Sequence, residues 1–294
     1  MTDPRIPQIR RFNRAVTQTM GALNDHFLGR DRPLGEARLL FEIGENGASV
    51  ATLRDRLELD SGYLSRLLRS LERQGLVTTI PGSDDRRVRQ AKLTAAGRTE
   101  LKELDRCSDR LAQSILDPLN ETQRARLGEA MAEVERLLAS AAVRVEQAPP
   151  ANRDVQQCLA RYFTELAERF DNGFDHAHST APTLDGFEPP RGTFLLMRLH
   201  GQPVGCGGFK PDTPDAAYLK RMWVAPEARG LGLGRRLLRE LENRARSLGY
   251  RLLRLETEKN LGEAQQLYRS SGYREVPRFN DEPYAHHWFE KLLA

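Results

Sequence analysis

The sequence predicts a multidomain α+β protein, with a mostly helical N-terminal domain followed by an α/β C-terminal domain. Three observations predict it. The chain has 294 residues, more than one small domain needs and suited to two of roughly 100–200 residues each. Its hydrophobic period is helical up to residues 146–153, Glu-Gln-Ala-Pro-Pro-Ala-Asn-Arg, and beyond them strands and helices alternate. Within that run Pro149 and Pro150 cannot continue a helix. The predicted division is therefore residues 1–146, a linker at 147–152, and residues 153–294.

Composition narrows the class. With 39% hydrophobic and 29% charged residues, the chain can bury cores and stay soluble, which excludes fibrous and disordered proteins. No apolar run exceeds four residues, far short of the ~20 that a membrane span requires. Residues 1–20 carry Arg5, Arg10, Arg11 and Arg14 without the apolar stretch of a secretory signal. Cys107, Cys158 and Cys206 are odd in number and lack metal-ligand spacing. They read as reduced thiols of a cytoplasmic protein, with neither a metal nor a membrane partner expected.

In the first half, residues 5–28 form one amphipathic stretch and Gly35–Glu45 a second. Ser49 can cap a third helix whose buried stripe is Val50, Leu53 and Leu57. In the next segment Leu64, Leu67, Leu68 and Leu71 recur at i, i+3, i+4 and i+7, one apolar face. That leaves Ser61, Tyr63, Ser65, Arg66 and Arg69 on the others. Short hydroxyls near a helix start, followed by arginines, suit the major groove: they reach base edges while further Arg and the helix N-terminus take phosphates. A solvated helix face is the alternative for this segment taken alone. Leu76–Ile80 then reads as a strand, Pro81–Asp85 as a turn and Arg86–Leu93 as a returning strand. Arg86, Arg87 and Arg89 at the hairpin tip suit a minor groove. Residues 61–98 carry eight basic against three acidic residues, a net +5, while residues 1–146 come to +2. Positive charge is concentrated on this proposed reading head.

The order of helices, then Gly75-Leu76-Val77, Asp85-Arg86-Arg87 and Leu93-Thr94-Ala95-Ala96-Gly97-Arg98, resembles the MarR family of winged helix-turn-helix regulators over roughly residues 5–142. The resemblance implies a homodimer paired through terminal helices, here residues 5–28 and 96–144. Leu104, Leu111, Ile115, Leu127, Met131, Val134, Leu137 and Leu138 supply apolar surface consistent with that. It implies double-stranded DNA as partner, a pseudo-palindromic operator with half-sites about one helical turn apart, and a small ligand between dimerisation helices and reading head.

In the second half the chemistry sits in Tyr218–Arg235. A strand ending near Val224 runs into a loop with Gly230, Gly232 and Gly234, and a helix opens with Leu237, Leu238, Leu241, Ala245 and Leu248 on its buried side and Gly249 at its end. Glycines let backbone N–H groups approach an anion, and the helix N-terminus adds positive charge, so a pyrophosphate fits. A dinucleotide site would place a third glycine where Leu237 stands, with Glu256 as its acidic residue. Only one such unit is present, and about sixty residues do not complete a doubly wound domain.

The spacing Arg229-x-x-Gly232-x-Gly234, with the hairpin Gly192–Lys210 before it and Asn260-Leu261-Gly262-Glu263-Ala264 through Gly272-Tyr273 after it, resembles the GNAT superfamily of acyl-CoA N-acyltransferases. The resemblance implies acetyl-CoA as co-substrate and an amine acceptor, small molecule or protein. It implies that Tyr268 protonates the departing thiolate, that Asn260 and the backbone at Trp223 and Val224 hold the pantetheine arm, and that Arg229, Gly230, Gly232, Gly234 and Arg235 hold the pyrophosphate. The strand before the loop carries Tyr218, Lys220 and Arg221 where related enzymes often have a glutamate. The base is therefore open between Glu256, His286, His287 and water. Phe163, Phe170, Phe174, Phe187, Trp223, Phe279, Tyr284 and Trp288 are candidates for an acceptor cleft or for core, and His176 and His178 beside Asp175 read as loop residues. The expected protein is a DNA-binding regulator that is also an acetyl-CoA-dependent N-acetyltransferase. The alternative is a transcription factor whose second domain only senses acetyl-CoA.

Overall fold

A computed structural model describes residues 3–21, 27–82 and 88–293. It divides inside one long helix into two units, Met1–Ala130 and Met131–Ala294.

The first unit runs α1 (Ile6–Thr19), a 3-10 turn at Phe27–Gly29, α2 (Leu34–Ile43), β1 (Ala48–Ser49), α3 (Val50–Leu57), α4 (Ser61–Arg73), β2 (Val77–Pro81), β3 (Arg89–Leu93), α5 (Ala95–Leu116) and the start of α6 (Glu121–Ala142). Local chemistry starts its central helices. The Ser49 hydroxyl accepts from the Thr52 N–H at 3.0 Å and the Asp60 carboxylate from the Tyr63 N–H at 2.8 Å, each supplying an acceptor that the first turn lacks. Leu64, Leu67, Leu68 and Leu71 are all buried, as their spacing predicts, and join Leu39, Leu40, Leu53 and Leu104 in one core. Of the α3 stripe, Leu53 is fully buried while Val50 and Leu57 pack at the margin. The three strands pair in the order β1-β3-β2, all antiparallel.

The Leu93-Thr94-x-x-Gly97 run is a strand-to-helix junction. The Thr94 hydroxyl donates to the Gly75 carbonyl at 2.6 Å and accepts from the Gly97 N–H at 3.0 Å. A Cβ on Gly97 would lie 2.0 Å from the Leu76 carbonyl oxygen, so only glycine lets α5 start this close to β2. A buried ionic cluster, invisible in the sequence, ties the turn before α2 to α5. Arg32 bridges Glu36 at 2.8 Å and Glu100 at 3.3 Å, and Arg30 bridges Glu100 at 2.7 Å. The described part of the first amphipathic stretch, α1, buries no side chain, and Ile6, Ile9, Phe12, Val16 and Met20 stand exposed.

The second unit contains β4 (Arg144–Gln147), α7 (Arg153–Arg169), β5 (Thr193–Leu199), β6 (Gln202–Pro211), β7 (Ala216–Val224), α8 (Leu233–Ser247), β8 (Leu252–Thr257), α9 (Gly262–Ser270), β9 (Arg274–Val276) and β10 (His287–Leu292). The sheet order is β4-β5-β6-β7-β8-β10-β9, with β7 and β8 parallel and the other ladders antiparallel.

The predicted boundary shifts here. Division at 1–146, 147–152 and 153–294 places Arg144–Gln147 outside the second domain, yet these residues form its edge strand, in register with Arg198 to Leu195. Val143 and Ala148 on either side are buried in the same core. Pro149 and Pro150 form the turn into α7, whose first N–H groups are capped by Asn152. Arg-Val-Glu-Gln carries one apolar residue in four, too weak an alternation to signal a strand; its register comes from β5.

Two irregularities open the sheet. β7 and β8 pair only through Ala216–Tyr218 and Leu252–Arg254, and past Tyr218 they part. The β6–β7 register slips between Cys206 and Gly208, and Arg221 opposite has φ +62°. Such a bulge bends the strand and re-aims the side chains near it.

Candidate functional site

Where β7 and β8 part, a cleft of about 670 Å³ opens, lined by β7, the glycine loop, the start of α8, β8, α9 and residues of α7. Gly230 and Gly232 have φ of +80° and +72°, and a Cβ on either would meet nothing within 4 Å, so their requirement is conformational rather than spatial. Gly232 is the N-cap of α8 and provides no side-chain cap. The first N–H groups of α8 thus lack intrahelical acceptors and lie at the positive end of its dipole, beside the cleft. A diphosphate meets these donors without needing a side chain, and the loop fits a CoA pyrophosphate.

Arg229 is held in a bracing role. Its Nε donates to the Val224 carbonyl at 3.1 Å, and its Nη2 lies 2.6 and 2.7 Å from the two oxygens of Glu165. Glu165 also accepts from Trp223 Nε1 at 2.8 Å and from Arg169 at 3.2 Å. Burial acts to raise the Glu165 carboxyl, but the bonds from Arg229 and Trp223 outweigh it and hold the group below the usual range. One α7 carboxylate therefore fixes the strand end and the loop together. Nothing in the sequence around Glu165 marks it, since Arg229 and Trp223 are far along the chain. Arg235 lines the cleft and donates to Ser270 Oγ at 3.0 Å.

Tyr268, on α9, is buried on the cleft wall with its ring 5.8 Å from those of Tyr273 and Phe289. Burial pushes its hydroxyl well above the ordinary tyrosine value, so at neutral pH it carries its proton. Glu256 also lines the cleft, with its Oε1 2.5 Å from Lys220 Nζ. Lys220 reaches Glu282 Oε2 at 2.7 Å as well, and that oxygen accepts from Ser179 Oγ, from the Thr180 N–H and from Thr180 Oγ1 at 2.7, 3.0 and 2.8 Å. Burial opposes the Glu282 charge, but Lys220 and these donors prevail and hold its carboxyl below the usual range.

The other base candidates lie beside carboxylates. His287 Nδ1 is 2.6 Å from Glu275, His286 Nδ1 is 3.6 Å from Glu258, and neither lines the cleft. Asn260 is also absent from the lining; its amide donates to the Arg169 carbonyl at 3.0 Å and to Asp171 at 3.1 Å, joining the start of α9 to the end of α7. Of the aromatic candidates, Phe170, Phe174, Trp223 and Tyr284 line the cleft, whereas Phe187 is core. Phe163 stacks on His176 at 4.9 Å, Phe279 packs under Arg254 and Trp288 donates to Asn280. His178 lies 3.5 Å from Asp175, and among the described residues no group of three or more His, Cys, Asp or Glu could hold a metal.

In the first unit, α4 turns its leucines inward and leaves Ser61, Tyr63, Arg66 and Arg69 exposed, with Ser65 half-buried. The Arg66 guanidinium lies 5.6 Å from the Tyr63 ring centre. Arg89 is exposed at the start of β3. Arg86 and Arg87 lie outside the described residues. No helix among the described residues is long and apolar enough to cross a membrane.

A sheet split at two parallel strands, with a glycine loop and helix N-terminus at the split, defines a site for a diphosphate-bearing ligand. A model of the GNAT acetyltransferase family matches residues 157–273, and one of the MarR family matches residues 29–88. An uncharacterized N-acetyltransferase of Schizosaccharomyces pombe is 37% identical over 134 residues, 45% of this chain and 76% of that protein. An IAA acetyltransferase of Azospirillum brasilense is 43% identical over 121 residues, 40% of this chain and 78% of that protein. Among solved structures, a GNAT-family acetyltransferase of Staphylococcus aureus matches with a TM-score of 0.45 at 22% identity, covering 52% of this chain and 100% of that one. The chain belongs to the GNAT acetyltransferase family and carries a MarR-family domain on the same polypeptide. Its second unit is an N-acetyltransferase with acetyl-CoA as the acyl donor.

Proposed function

We propose that this chain is a bifunctional protein: a DNA-binding transcriptional regulator and an acetyl-CoA-dependent N-acetyltransferase acting on an amine. The observation that carries the catalytic half is the placement of Tyr268, Glu256 and the α8 N-terminus around one cleft. The pyrophosphate lies on the N–H groups of Gly230, Gly232, Gly234 and Arg235, with the Arg235 side chain beside them and Arg229 bracing the loop. The pantetheine arm runs along the unpaired edge of β7 at Trp223 and Val224, where the Val224 N–H, directed away from β6, also meets the thioester oxygen as negative charge develops. A neutral amine attacks the thioester carbon, a C–N bond forms and the C–S bond breaks. The amine gives up one proton to Glu256, directly or through water, and the thiolate takes one from Tyr268. Asn260 supports the pantetheine arm by fixing the start of α9 against α7.

The DNA-binding half rests on the exposed Ser61, Tyr63, Arg66 and Arg69 and the half-buried Ser65 over a buried leucine face. In this reading α4 enters the major groove of a pseudo-palindromic operator, and Arg86, Arg87 and Arg89 on the hairpin meet the minor groove. A homodimer forms through α1 and the terminal helices, covering the exposed α1 stripe Ile6, Ile9, Phe12, Val16 and Met20 together with Met131, Leu137 and Leu138. The functional division falls at the end of α6, just before β4.

A free-thiol release assay with acetyl-CoA against a panel of small amines and lysine peptides tests the catalytic half. Turnover on one compound class is expected. Acetyl-CoA binding with no turnover on any of them would replace the enzyme with a regulator that senses the donor.

A further inference from the structure

The proposed chemistry engages the acceptor's nitrogen and leaves the aromatic part of the cleft unexplained. Phe170, Phe174 and Tyr284 line it and are half-buried. None of the three belongs to the hydrophobic core of the second unit or to the side chains packed against that core. They pack on one another instead, with ring centres 5.6 Å apart for Phe170 and Phe174, 4.8 Å for Phe174 and Tyr284 and 5.9 Å for Phe170 and Tyr284. Phe174 also reaches Phe163 behind it at 5.8 Å. Rings that face a cleft and add nothing to the core leave apolar area in water unless a ligand covers it.

Two chain segments hold this wall in place. Gly173, at φ +70°, closes a turn with its N–H on the Phe170 carbonyl at 3.0 Å, and the Phe174 ring meets the Phe170 ring edge-on, at 86°. The Tyr284 hydroxyl accepts from the Asp175 N–H at 3.1 Å and donates to the Asp175 carbonyl at 3.2 Å. Its polar capacity is spent on backbone, so the ring offers hydrocarbon to the cleft and the wall is formed before any ligand arrives. Charge sets a second requirement. Glu256, Glu258 and Glu282 line the cleft as well. Among the described residues on this side, Lys220 is bridged to Glu256 and Glu282, Arg169 is bonded to Glu165 and Glu263, and Arg221 is only 4% exposed. A ligand carboxylate here would meet three acids and no uncommitted cation, which rejects it.

We propose that the wall of Phe170, Phe174 and Tyr284 is the subsite for the body of the acceptor, and that the acceptor is an arylalkylamine, a primary amine carried on an aromatic ring system without a carboxylate. The ring packs edge-to-face or offset on the three aromatic side chains, and the nitrogen points toward Glu256. This specificity rests on the acetyl-transfer reading above and names its acceptor class.

The test separates the two. Isothermal titration of the full chain in the presence of CoA compares phenethylamine and tryptamine with butylamine, which lacks the ring, with phenylalanine and tryptophan, which add the carboxylate, and with a lysine peptide. At least one arylalkylamine is expected to bind about tenfold or more tightly than butylamine, within what burial of the additional ring carbons supplies, and more tightly than its amino acid and the peptide. Phe174→Ala is expected to erase the preference over butylamine. Equal affinity for arylalkylamines and butylamine, no arylalkylamine binding, or tighter binding of the amino acids or the peptide overturns the subsite, and this comparison on the unaltered protein holds even if Phe174→Ala does not fold. Thiol release from acetyl-CoA is read on the same compounds. Preferential arylalkylamine binding without release supports the subsite and overturns acetyl transfer to these acceptors. Release without a preference for the ring supports transfer and overturns the subsite.

Discussion

Tyr268 combines burial, a raised proton affinity and a place on the cleft wall. In the proposed chemistry its hydroxyl protonates the leaving thiolate. Tyr268→Phe should then lower kcat by about a hundredfold, the lower bound for a positioned general acid, with the KM for acetyl-CoA nearly unchanged. Steady-state kinetics at several pH values check this, and unchanged turnover would remove Tyr268 from the mechanism. Glu165 acts on the site through Arg229 and Trp223. Glu165→Gln should raise the KM for acetyl-CoA several-fold with a smaller effect on kcat, because the loop loses its brace while the cleft keeps its reacting groups. Glu282 supplies a pH signature. Its carboxyl is held below the usual range, so the unfolded chain binds more protons than the folded one as acid is added. Its contribution to stability is complete above the ordinary carboxylate pKa of about 4.3 and is lost as pH falls through the depressed folded value. Thermal melts from pH 6 to 3 should show a shallower acid loss in Glu282→Gln than in the unaltered chain.

Elements depend on residues at their ends. The Asp60 cap opens α4 and the Thr94–Gly97 junction opens α5. Asp60→Ala should cost about 1 kcal/mol, read as a lower urea midpoint with unchanged slope. Gly97→Ala should cost more, about 2 kcal/mol or above, because its new methyl meets the Leu76 carbonyl, a backbone atom that cannot turn aside. A tolerated Gly97→Ala would mean that α5 can slide away from β2. The leucine face of α4 and the Ser49 cap of α3 are legible in sequence, since their partners lie within one or two turns. β4 is not legible, because a four-residue edge strand takes its conformation from β5 rather than from its own pattern.

At the scale of the molecule, one polypeptide joins a MarR-family domain to a GNAT acetyltransferase, and the proposed DNA reading makes a quantitative demand. Arg66→Ala should weaken DNA binding by roughly 1–3 kcal/mol if it reads a base, or lower the salt slope by about 1 if it holds a phosphate. Affinity measured from low to moderate salt decides between these, and an unchanged affinity and slope would assign α4 to packing alone. The sequence by itself determined the two domain classes, the helix faces, the Ser49 cap and the glycine loop, because each depends on spacing within a few residues, where backbone geometry dictates which side chains share a face. The tertiary structure alone decided the bracing of Arg229 by Glu165, the Lys220 bridge between Glu256 and Glu282, and the pairing of β4. The residues in those bonds are 36 to 64 positions apart along the chain, and only the packing of α7, β7, β8 and the segment around Glu282 brings such groups within reach of one another.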